Sequence, residues 1–273
     1  MLERIIFGAV YAIGAICMFL FASPLVVCII VGALILMGLY EYFGAIGYTK
    51  DKKTLVAISY LFSFFMIVCM YFTKSWNSVN IFAVVSVYVV VSLVYMVLNH
   101  TKIHFDDVAV SILGTCYITL FLINVYLLRC DINFGKLYIW LPFIIAWLTD
   151  TFAYFAGRFF GRHKLIPSVS PKKTVEGSIG GIIGAVAIML VYMLVCKKFF
   201  DITPNYTLGI FSAIIISVLS QLGDLVASCI KREHGVKDFG SLIPGHGGIL
   251  DRFDSVLFIS PIVYYLVYLG WIF

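Results

Sequence analysis

The sequence predicts an all-α integral membrane protein, a polytopic helical bundle of about nine transmembrane helices with a cytoplasmic N-terminus. Three observations support this prediction. The chain is 62% hydrophobic and only 12% charged, and its mean hydropathy is +1.05. Apolar runs close to the ~20 residues that cross ~30 Å of hydrocarbon recur along its whole length. The basic residues are distributed unevenly between alternate loops, as expected for the two sides of a membrane.

The predicted spans follow the apolar runs, with ends accurate to a few residues. They are 5–22, 24–43, 54–72, 81–98, 108–128, 137–156, 176–196, 206–230 and 256–273. Only Ser23-Pro24, a pair compatible with a turn, separates the first two, so one long broken segment is an alternative. The first span resembles a signal-peptide core, but we expect an uncleaved anchor because no soluble domain follows it. Backbone groups in lipid need partners within the chain, so the spans are predicted to be helices.

The loop charges test this topology independently. With a cytoplasmic N-terminus, 14 of the 19 basic residues fall on the cytoplasmic side and 5 on the other. This bias follows the positive-inside rule and places the polar loops 157–175 and 231–255 in the cytoplasm. The seven cysteines form no CxxC pair and no cluster with zinc spacing, so we expect them to pack as small apolar residues.

Two carboxylates inside predicted spans are the first candidate functional residues. Asp150 lies eight residues before Arg158, which closes the sixth span, and Asp224 lies seven residues before Lys231, which closes the eighth. At ~1.5 Å per residue, both acids lie ~10–12 Å below the cytoplasmic helix ends, so they are predicted to face one polar pocket. Intramembrane acids cost several kcal/mol and commonly mark function. The alternative for each is an ion pair with a nearby Lys or Arg that serves packing.

A polar stripe accompanies Asp224 along the eighth helix. Its members recur at three- and four-residue spacing: Ser217, Ser220, Gln221, Asp224, Ser228 and Lys231. Such a stripe faces either partner helices or a water-filled cleft. The charged Lys231 at its end favours the cleft.

A second pair of acids, Asp251 and Asp254, begins the last span. Three residues apart, they share one helix face if the helix begins near Leu250. Favourable interaction with the helix dipole, ~0.3–1 kcal/mol, would require only one acid. Two acids, with Asp224 on the preceding helix, therefore predict an oxygen cage for a hard cation. Magnesium is commonly held by one or two carboxylates plus substrate phosphates, so Mg²⁺ is the candidate ion.

Phosphate-binding features lie between these acids. The segment Pro244-Gly245-His246-Gly247-Gly248 follows the basic residues Lys231, Arg232 and Lys237. Glycine lets backbone N–H groups approach a ligand closely, and such a nest suits phosphate. A glycine turn is common by itself, and a lone histidine is more often structural. The prediction therefore depends on the combination of cations, glycine turn and acids within one short segment.

The other polar loop carries a related pattern. Basic residues lead into Ser170-Pro171-Lys172-Lys173-Thr174 and then Glu176. Lysine and hydroxyl groups ahead of a helix start can bind an anion. Retention of anionic lipid head groups and a purely topological role are the alternatives. Glycines early in the seventh span fit close helix packing instead: Gly177, Gly180, Gly181 and Gly184. Glu41 is interpreted as a supporting residue or a boundary charge.

Two long gapped patterns carry a family resemblance. The first is Ser228-Cys-Ile-Lys231-Arg232-x4-Lys237-Asp238-Phe-Gly240-x2-Ile243-Pro244-x-His246-Gly247-Gly248-x2-Asp251-Arg252-Phe-Asp254. The second is Asp150-Thr151-x-Ala153-Tyr154-x2-Gly157-Arg158, followed by Ser170-Pro171-Lys172-Lys173-Thr174-x-Glu176-Gly177. Together they resemble the phosphatidate cytidylyltransferase (CDP-diacylglycerol synthase) family over roughly the C-terminal half. The first 130 residues are similar only in hydrophobic character.

The resemblance implies an enzyme that converts CTP and phosphatidic acid to CDP-diacylglycerol and pyrophosphate. The lipid phosphate attacks the α-phosphorus of CTP, and catalysis depends on positioning and charge neutralisation. It implies Mg²⁺ as cofactor, with a second cation such as K⁺ as an open addition. We expect no nucleic-acid partner. Within one membrane domain, 1–273, it assigns catalysis to 137–273, and 1–130 to packing or, alternatively, homodimer contacts.

The resemblance also implies residue roles. The catalytic set is Asp224, Ser228, Lys231, Arg232, Lys237, Asp238, His246, Asp251, Arg252 and Asp254, and the metal ligands within it are Asp224, Asp251 and Asp254. The substrate-binding set is Ser170, Lys172, Lys173, Thr174, Glu176, Gly245, Gly247, Gly248 and Asp150. Within these sets, lysines and arginines hold phosphates, hydroxyl groups donate to phosphate or help ligate the metal, and His246 with its glycines shapes the nucleotide loop. Asp150 and Glu176 support residues that touch substrate.

Two other functions stay open at the level of sequence. A CTP-dependent kinase of a polyprenol or similar lipid shares the nucleotide and membrane context. An ion-coupled transporter would use Asp150 and Asp224 as relays, although the charges cluster at one face and not along a crossing path. The lack of a long polar tail favours a multi-pass protein of a bacterial plasma membrane with its site facing the cytoplasm. An organelle membrane is the alternative.

Overall fold

Ten α-helices and one β-hairpin form the part of the chain that the computed structural model describes, residues 21–76, 80–242 and 247–273. The long helices are α1 (Pro24–Ala45), α3 (Lys53–Thr73), α4 (Ile81–Leu98), α5 (Phe105–Cys130), α7 (Leu141–Phe160), α8 (Val175–Phe200), α9 (Tyr206–Glu233) and α10 (Leu250–Tyr268). The short helices are α2 (Tyr48–Asp51) and α6 (Gly135–Tyr138). Strands β1 (Lys164–Ile166) and β2 (Ser170–Thr174) lie between α7 and α8.

Seven helical segments of the described chain are long and apolar enough to cross a membrane. They are α1, α3, α4, α5, the continuous stretch Gly135–Phe160, α8 and α9. The predicted class, a polytopic helical membrane protein, is confirmed. The predicted span 5–22 lies almost wholly outside the described residues. The predicted span 256–273 overlaps α10, which is not among the seven and begins with three charged residues in five. The count of nine and the cytoplasmic N-terminus stay predictions.

Local capping residues explain where four of the eight long helices begin. Ser23 precedes Pro24 at the start of α1, and its hydroxyl accepts from the Val26 N–H at 3.4 Å. Asn80 and Asn205 cap α4 and α9 in the same way, each at 3.1 Å, and Thr174 caps α8 by accepting from the Gly177 N–H. Helix α10 is different, because its N-cap residue Ile249 has no side-chain oxygen.

The β-hairpin is the one element that the all-α prediction did not anticipate. Its strands pair antiparallel, with Lys164 opposite Thr174 and Ile166 opposite Ser170. The Val175 N–H donates to the His163 carbonyl at 3.0 Å, which carries the pairing to the start of α8. The predicted loop 157–175 is therefore an ordered hairpin, and it brings Lys172, Lys173 and Thr174 back towards α7.

Glycines allow α7 and α8 to pack closely, as the sequence predicted. A Cβ atom on Gly180 would lie 2.2 Å from the Ala156 Cβ, and one on Gly184 would lie 2.3 Å from the Phe152 ring. Real carbon atoms do not approach so closely, so no larger residue fits at this helix interface. The contact holds the second half of α7, which begins near Asp150, against the first turns of α8, which directly follow the hairpin.

The two halves of the chain share one bundle. Helix α5 packs against α1, α3 and α10, and α9 packs between α8 and α10. Side chains from both halves form a single apolar core, including the fully buried Phe43, Tyr126 and Tyr264. At one end of the N-terminal half, Lys52 forms an ion pair with Asp107, which also accepts from the Tyr48 hydroxyl at 2.9 Å. Helix α1 also contacts α10, the helix that carries Asp251 and Asp254.

We predict that Gly180→Ala lowers the thermal unfolding midpoint, because the new methyl group forces α7 and α8 apart. Overpacking of this kind costs about 1–3 kcal/mol. Gly44→Ala is the matched control, since a Cβ at this helical position would have no neighbour within 4 Å. Both variants can be measured in detergent by thermal scanning. Equal midpoints for the two variants would contradict the glycine-contact account.

Candidate functional site

A cavity of about 320 Å³ lies between α7, α8 and α9 and is also lined by the hairpin. Asp150 of α7 and Asp224 of α9 both line it, so the predicted shared pocket is confirmed. Lys172 and Lys173 of β2 and Arg158 of α7 line the same cavity. The cavity therefore combines both intramembrane acids with three cations.

The polar stripe of α9 faces partner helices along most of its length. Ser217 and Ser220 are fully buried, and Ser217 accepts from the Thr149 hydroxyl of α7 at 3.2 Å. The Gln221 amide donates to the Ser178 carbonyl of α8 at 3.3 Å. Only near Asp224 does the stripe open into the cavity. These hydrogen bonds of Ser217 and Gln221 favour the rotation of α9 that places Asp224 at the cavity.

Lys173 and Asp224 form an ion pair at the cavity wall. The Lys173 Nζ lies 2.6 Å from the Asp224 Oδ2 and also donates to the Gln221 carbonyl at 3.3 Å. The two side chains keep 23% and 30% of their exposure, so both are open to a ligand. An incoming phosphate can therefore bind Lys173 and release the Asp224 carboxylate for another partner.

Lys231 and Asp251 form a second ion pair that is more deeply buried. The Lys231 Nζ lies 2.7 Å from the Asp251 Oδ1, with 10% and 3% of the side chains exposed. The other oxygen of Asp251 accepts from the backbone N–H groups of Phe239 and Gly248, at 2.9 and 3.0 Å. Lys231 also lies over the Phe239 ring, 5.3 Å from its centroid. Both Asp251 oxygens are thus occupied by groups of the protein.

Asp254 interacts electrostatically with the acids of the cavity. It is 9% exposed, and its Oδ1 accepts from the neighbouring Ser255 N–H at 2.7 Å. Asp254 repels both Asp224 and Asp150 electrostatically, and these two repel each other. Three acids from three helices therefore share one region, and Lys173 and Lys231 are the nearby cations that act on it.

The donor chemistry of this region fits Mg²⁺. Carboxylate oxygens are its preferred ligands, and one or two suffice when substrate phosphates complete the shell. Asp224 and Asp254 meet this requirement, with excess negative charge from Asp150 beside them. Within the described residues, no three Asp, Glu, His or Cys side chains are close enough to hold a metal ion by themselves. The arrangement thus fits a cation that shares its ligands with a substrate.

The structure brings some predicted residues to the cavity and places others elsewhere. Thr174 lines the cavity and caps α8. Glu176 lies behind the hairpin, where it contacts the His163 Nδ1 at 2.6 Å and accepts from the Arg162 N–H at 3.1 Å. Ser170 pairs across the hairpin with Ile166 and is not a cavity-lining residue. Gly245 and His246 lie outside the described residues.

The remaining predicted residues surround the Lys231–Asp251 pair and the loop that follows α9. Arg232, Lys237, Asp238 and Arg252 are exposed, and Ser228 is half-buried on α9. The Arg232 guanidinium donates to the Val236 carbonyl at 3.1 Å. Gly247 has a φ of +81°, a conformation that L residues with side chains rarely adopt. Because Arg232, Lys237 and Arg252 are exposed, they can bind a ligand at the loop surface without breaking buried contacts.

Three residues of this region were not among the site residues predicted from the sequence. Arg158 and Gln221 were described only as a helix end and a stripe member, yet both line the cavity. Glu41 was interpreted as a supporting residue or a boundary charge, and the structure favours the first, because Glu41 is 2% exposed and accepts from the Ile249 and Leu250 N–H groups at 2.8 and 2.7 Å. The available signal was Ile249, an unsuitable N-cap that requires an acceptor from elsewhere in the chain.

An apolar groove of about 450 Å³ lies apart from this region, between α3 and α4. Its walls are aliphatic and aromatic, among them Leu61, Phe65 and Val87. No charged side chain lines it, so it has no means of binding phosphate or a metal. This groove therefore adds no candidate ligand-binding groups to those of the cavity and the adjoining loop.

Comparisons with known proteins identify similar sequences. A model of the cytidylyltransferase family matches residues 2–270, including the first 130 residues, where inspection found only hydrophobic character. A phosphatidate cytidylyltransferase from Staphylococcus haemolyticus (strain JCSC1435) is 44% identical over 169 residues, 62% of this chain and 62% of that protein. One from Bacillus subtilis (strain 168) is 40% identical over 179 residues, 66% and 65% of the two chains. The chain thus covers slightly less than two thirds of these relatives.

We predict that the two ion pairs differ in strength. Lys231→Met leaves the Asp251 carboxylate buried without its cation and lowers the free energy of unfolding by about 3 kcal/mol or more. Lys173→Met, at the more open pair, costs less than about 1 kcal/mol because solvent screens it. Double-mutant cycles with Asp251→Asn and Asp224→Asn, from denaturation in detergent, measure both couplings. A coupling at the Lys173 pair equal to that at the Lys231 pair would overturn this assignment.

Proposed function

The chain belongs to the cytidylyltransferase family, and we propose on this basis that it transfers CMP from CTP to phosphatidic acid, giving CDP-diacylglycerol and pyrophosphate. The observation that carries the proposal is the shared cavity, where Asp150 and Asp224 meet Arg158, Lys172 and Lys173. Both substrates are polyanions, so their reaction needs cations to offset repulsion and acids to hold a metal. The name and identity of the relatives support the same reaction.

The lipid phosphate is proposed to bind in the cavity. Lys172, Lys173 and Arg158 supply the positive charge. The amphipathic Tyr154 side chain and the apolar Leu165 side chain also line the cavity. The exposed Phe155 and Phe159 follow on α7, the helix that carries Asp150. A lipid bound in the cavity would keep its acyl chains in the hydrocarbon while its phosphate reaches Lys173.

The triphosphate of CTP is proposed to bind at the loop after α9. Arg232, Lys237 and Arg252 are exposed there and can neutralise its charge. Gly247 has the positive φ that occurs in anion-binding nests. The N–H group of the next residue, Gly248, is bound by Asp251. The buried Lys231–Asp251 pair keeps this loop beside the first turn of α10, next to Asp254.

Asp224 and Asp254 are the proposed Mg²⁺ ligands, and Asp150 adds negative charge behind them. When bound there, Mg²⁺ would neutralise charge on phosphate oxygens and stabilise the departing pyrophosphate. Asp251 belongs to the ligand set predicted from sequence, but its present contacts favour a positioning role. To become a ligand, Asp251 would have to exchange Lys231 or a backbone donor for the metal.

The proposed chemistry requires no covalent bond to the protein. An oxygen of the lipid phosphate attacks the α-phosphorus of CTP, and the bond to the β-phosphate oxygen breaks as pyrophosphate leaves. The residues act by orienting the two phosphates and by offsetting charge, which is the usual basis of catalysis in phosphoryl-type transfer. We place the protein in a bacterial plasma membrane with this site facing the cytoplasm, in keeping with the basic loops.

Purified protein with phosphatidic acid, Mg²⁺ and CTP labelled at the α-phosphate tests the proposal. We expect the label in the lipid fraction and unlabelled pyrophosphate in water. Label recovered as CDP when a polyprenol is supplied would replace the proposal with a lipid kinase. Unreacted CTP across a range of divalent metals, together with nucleotide-independent uptake by vesicles, would replace it with a transporter.

We predict that Asp224→Asn and Asp254→Asn each lower kcat/KM by about 100-fold or more, because loss of a metal ligand removes several kcal/mol of charge stabilisation. Both should also raise the Mg²⁺ concentration needed for half-maximal rate. The exposed Asp51→Asn is the control and should leave both quantities unchanged.

Asp251→Asn separates the two roles of Asp251. If Asp251 positions the loop, we expect most activity to be lost while the Mg²⁺ requirement stays that of the wild type and the protein stays inserted. An increased Mg²⁺ requirement would return Asp251 to the ligand set. Activity close to that of the wild type at saturating Mg²⁺ would exclude both roles.

A further inference from the structure

We infer that Glu41, in the N-terminal half of the chain, is a positioning residue that holds the start of α10 and the loop before it. Its Oε1 accepts from the Ile249 N–H at 2.8 Å, and its Oε2 accepts from the Leu250 N–H at 2.7 Å. These contacts join residues 208 and 209 positions apart in sequence. The importance of this loop for nucleotide binding rests on the proposed function, whereas the contact itself does not.

Glu41 supplies a cap that α10 cannot supply for itself. The first N–H groups of a helix have no partner within the helix, and an oxygen at the N-cap normally accepts from them. The N-cap of α10 is Ile249, which makes no side-chain cap hydrogen bond. Glu41 therefore takes the place of the missing local acceptor, and its negative charge meets the positive end of the helix dipole.

Two loop glycines leave the space that the Glu41 carboxylate occupies. A Cβ atom on Gly240 would lie 2.7 Å from the Glu41 Oε1, and one on Gly248 would lie 2.6 Å from the Oε2. Larger residues at either position would displace the carboxylate or the loop. The two glycines thus have a packing role with Glu41, in addition to any role towards a ligand.

Glu41 and Asp251 together hold four backbone N–H groups of the same segment. Asp251 binds those of Phe239 and Gly248, and Glu41 binds those of Ile249 and Leu250. Among the described residues, Lys231 pairs with Asp251, whereas Glu41 forms no ion pair. The charge of Glu41 therefore depends on the loop backbone and the helix end, and the loop depends on Glu41.

The consequence is a functional link between the two halves of the chain. Glu41 lies near the end of α1, and α1 also packs against α5 through buried side chains such as Leu39 and Phe43. Through Glu41, α1 thereby fixes the axial position and rotation of the start of α10. Asp254, one turn further along α10, depends on that setting for its approach to Asp224.

Hydrogen exchange of the full chain in detergent tests the contact without reference to activity. In the wild type we expect slow exchange at the Ile249 and Leu250 amides, although uncapped first-turn amides exchange quickly. In Glu41→Gln we expect exchange across 239–250 to be about tenfold faster, the effect of losing a helix cap. The exposed Glu233→Gln is the matched control and should exchange like the wild type.

Gly240→Ala approaches the same contact from the loop and keeps the inference testable if Glu41→Gln does not fold. It should give the same local acceleration with little change elsewhere. Fast exchange at Ile249 and Leu250 in the wild type would overturn the inference. Acceleration spread evenly over all helices in both variants would also overturn it, since Glu41 would then serve general stability.

Steady-state kinetics test the functional part separately. If Glu41 positions the nucleotide loop, Glu41→Gln should raise the KM for CTP about tenfold and leave the KM for phosphatidic acid within about twofold. An equal change in both constants would contradict the positioning role. Wild-type protein with no transfer activity but with protected Ile249 and Leu250 amides would refute the proposed function and leave the Glu41 contact standing.

Discussion

Every carboxylate at the cavity end of this bundle needs a partner, because a negative charge that leaves water must be matched by a cation or by hydrogen-bond donors. Asp224, Asp251 and Glu41 each have their own partners. Asp224 has Lys173, Asp251 has Lys231 and two backbone donors, and Glu41 has two backbone donors. Asp254 accepts from the Ser255 N–H and Asp150 has only the long-range attraction of Lys173, and both carboxylates interact unfavourably with Asp224. The excess negative charge of the region is what makes a divalent cation chemically suitable there.

The two ion pairs differ in burial, and this difference separates binding from positioning. Lys173 and Asp224 border a cavity and can change partners when an anion arrives. Lys231 and Asp251 are nearly closed off and tie α9 to the loop and to α10. The proposed site for two polyanionic substrates needs both properties: lysines that can change partners from an acid to a substrate, and buried contacts that keep the helices in place when this happens.

The N-terminal half contributes more than lipid-facing bulk. Glu41 provides the cap of α10, and the Asp107–Lys52 pair with Tyr48 secures the connection that follows α1. The match of the family model over residues 2–270 agrees with a single functional unit. The division into packing and catalytic halves that the sequence suggests is therefore incomplete at Glu41.

The sequence by itself determined the class of the protein, the sharing of one pocket by Asp150 and Asp224, the polar stripe of α9 and the packing role of the α8 glycines. These features depend on helix periodicity and length, which are local properties of the chain. Only the tertiary structure decided that 164–174 forms a hairpin, that Asp251 pairs with Lys231, that Asp254 interacts with Asp224, and that Glu41 caps α10. Partner choice depends on how helices rotate and approach one another. Residues 208 positions apart carry no mutual signal in a single sequence.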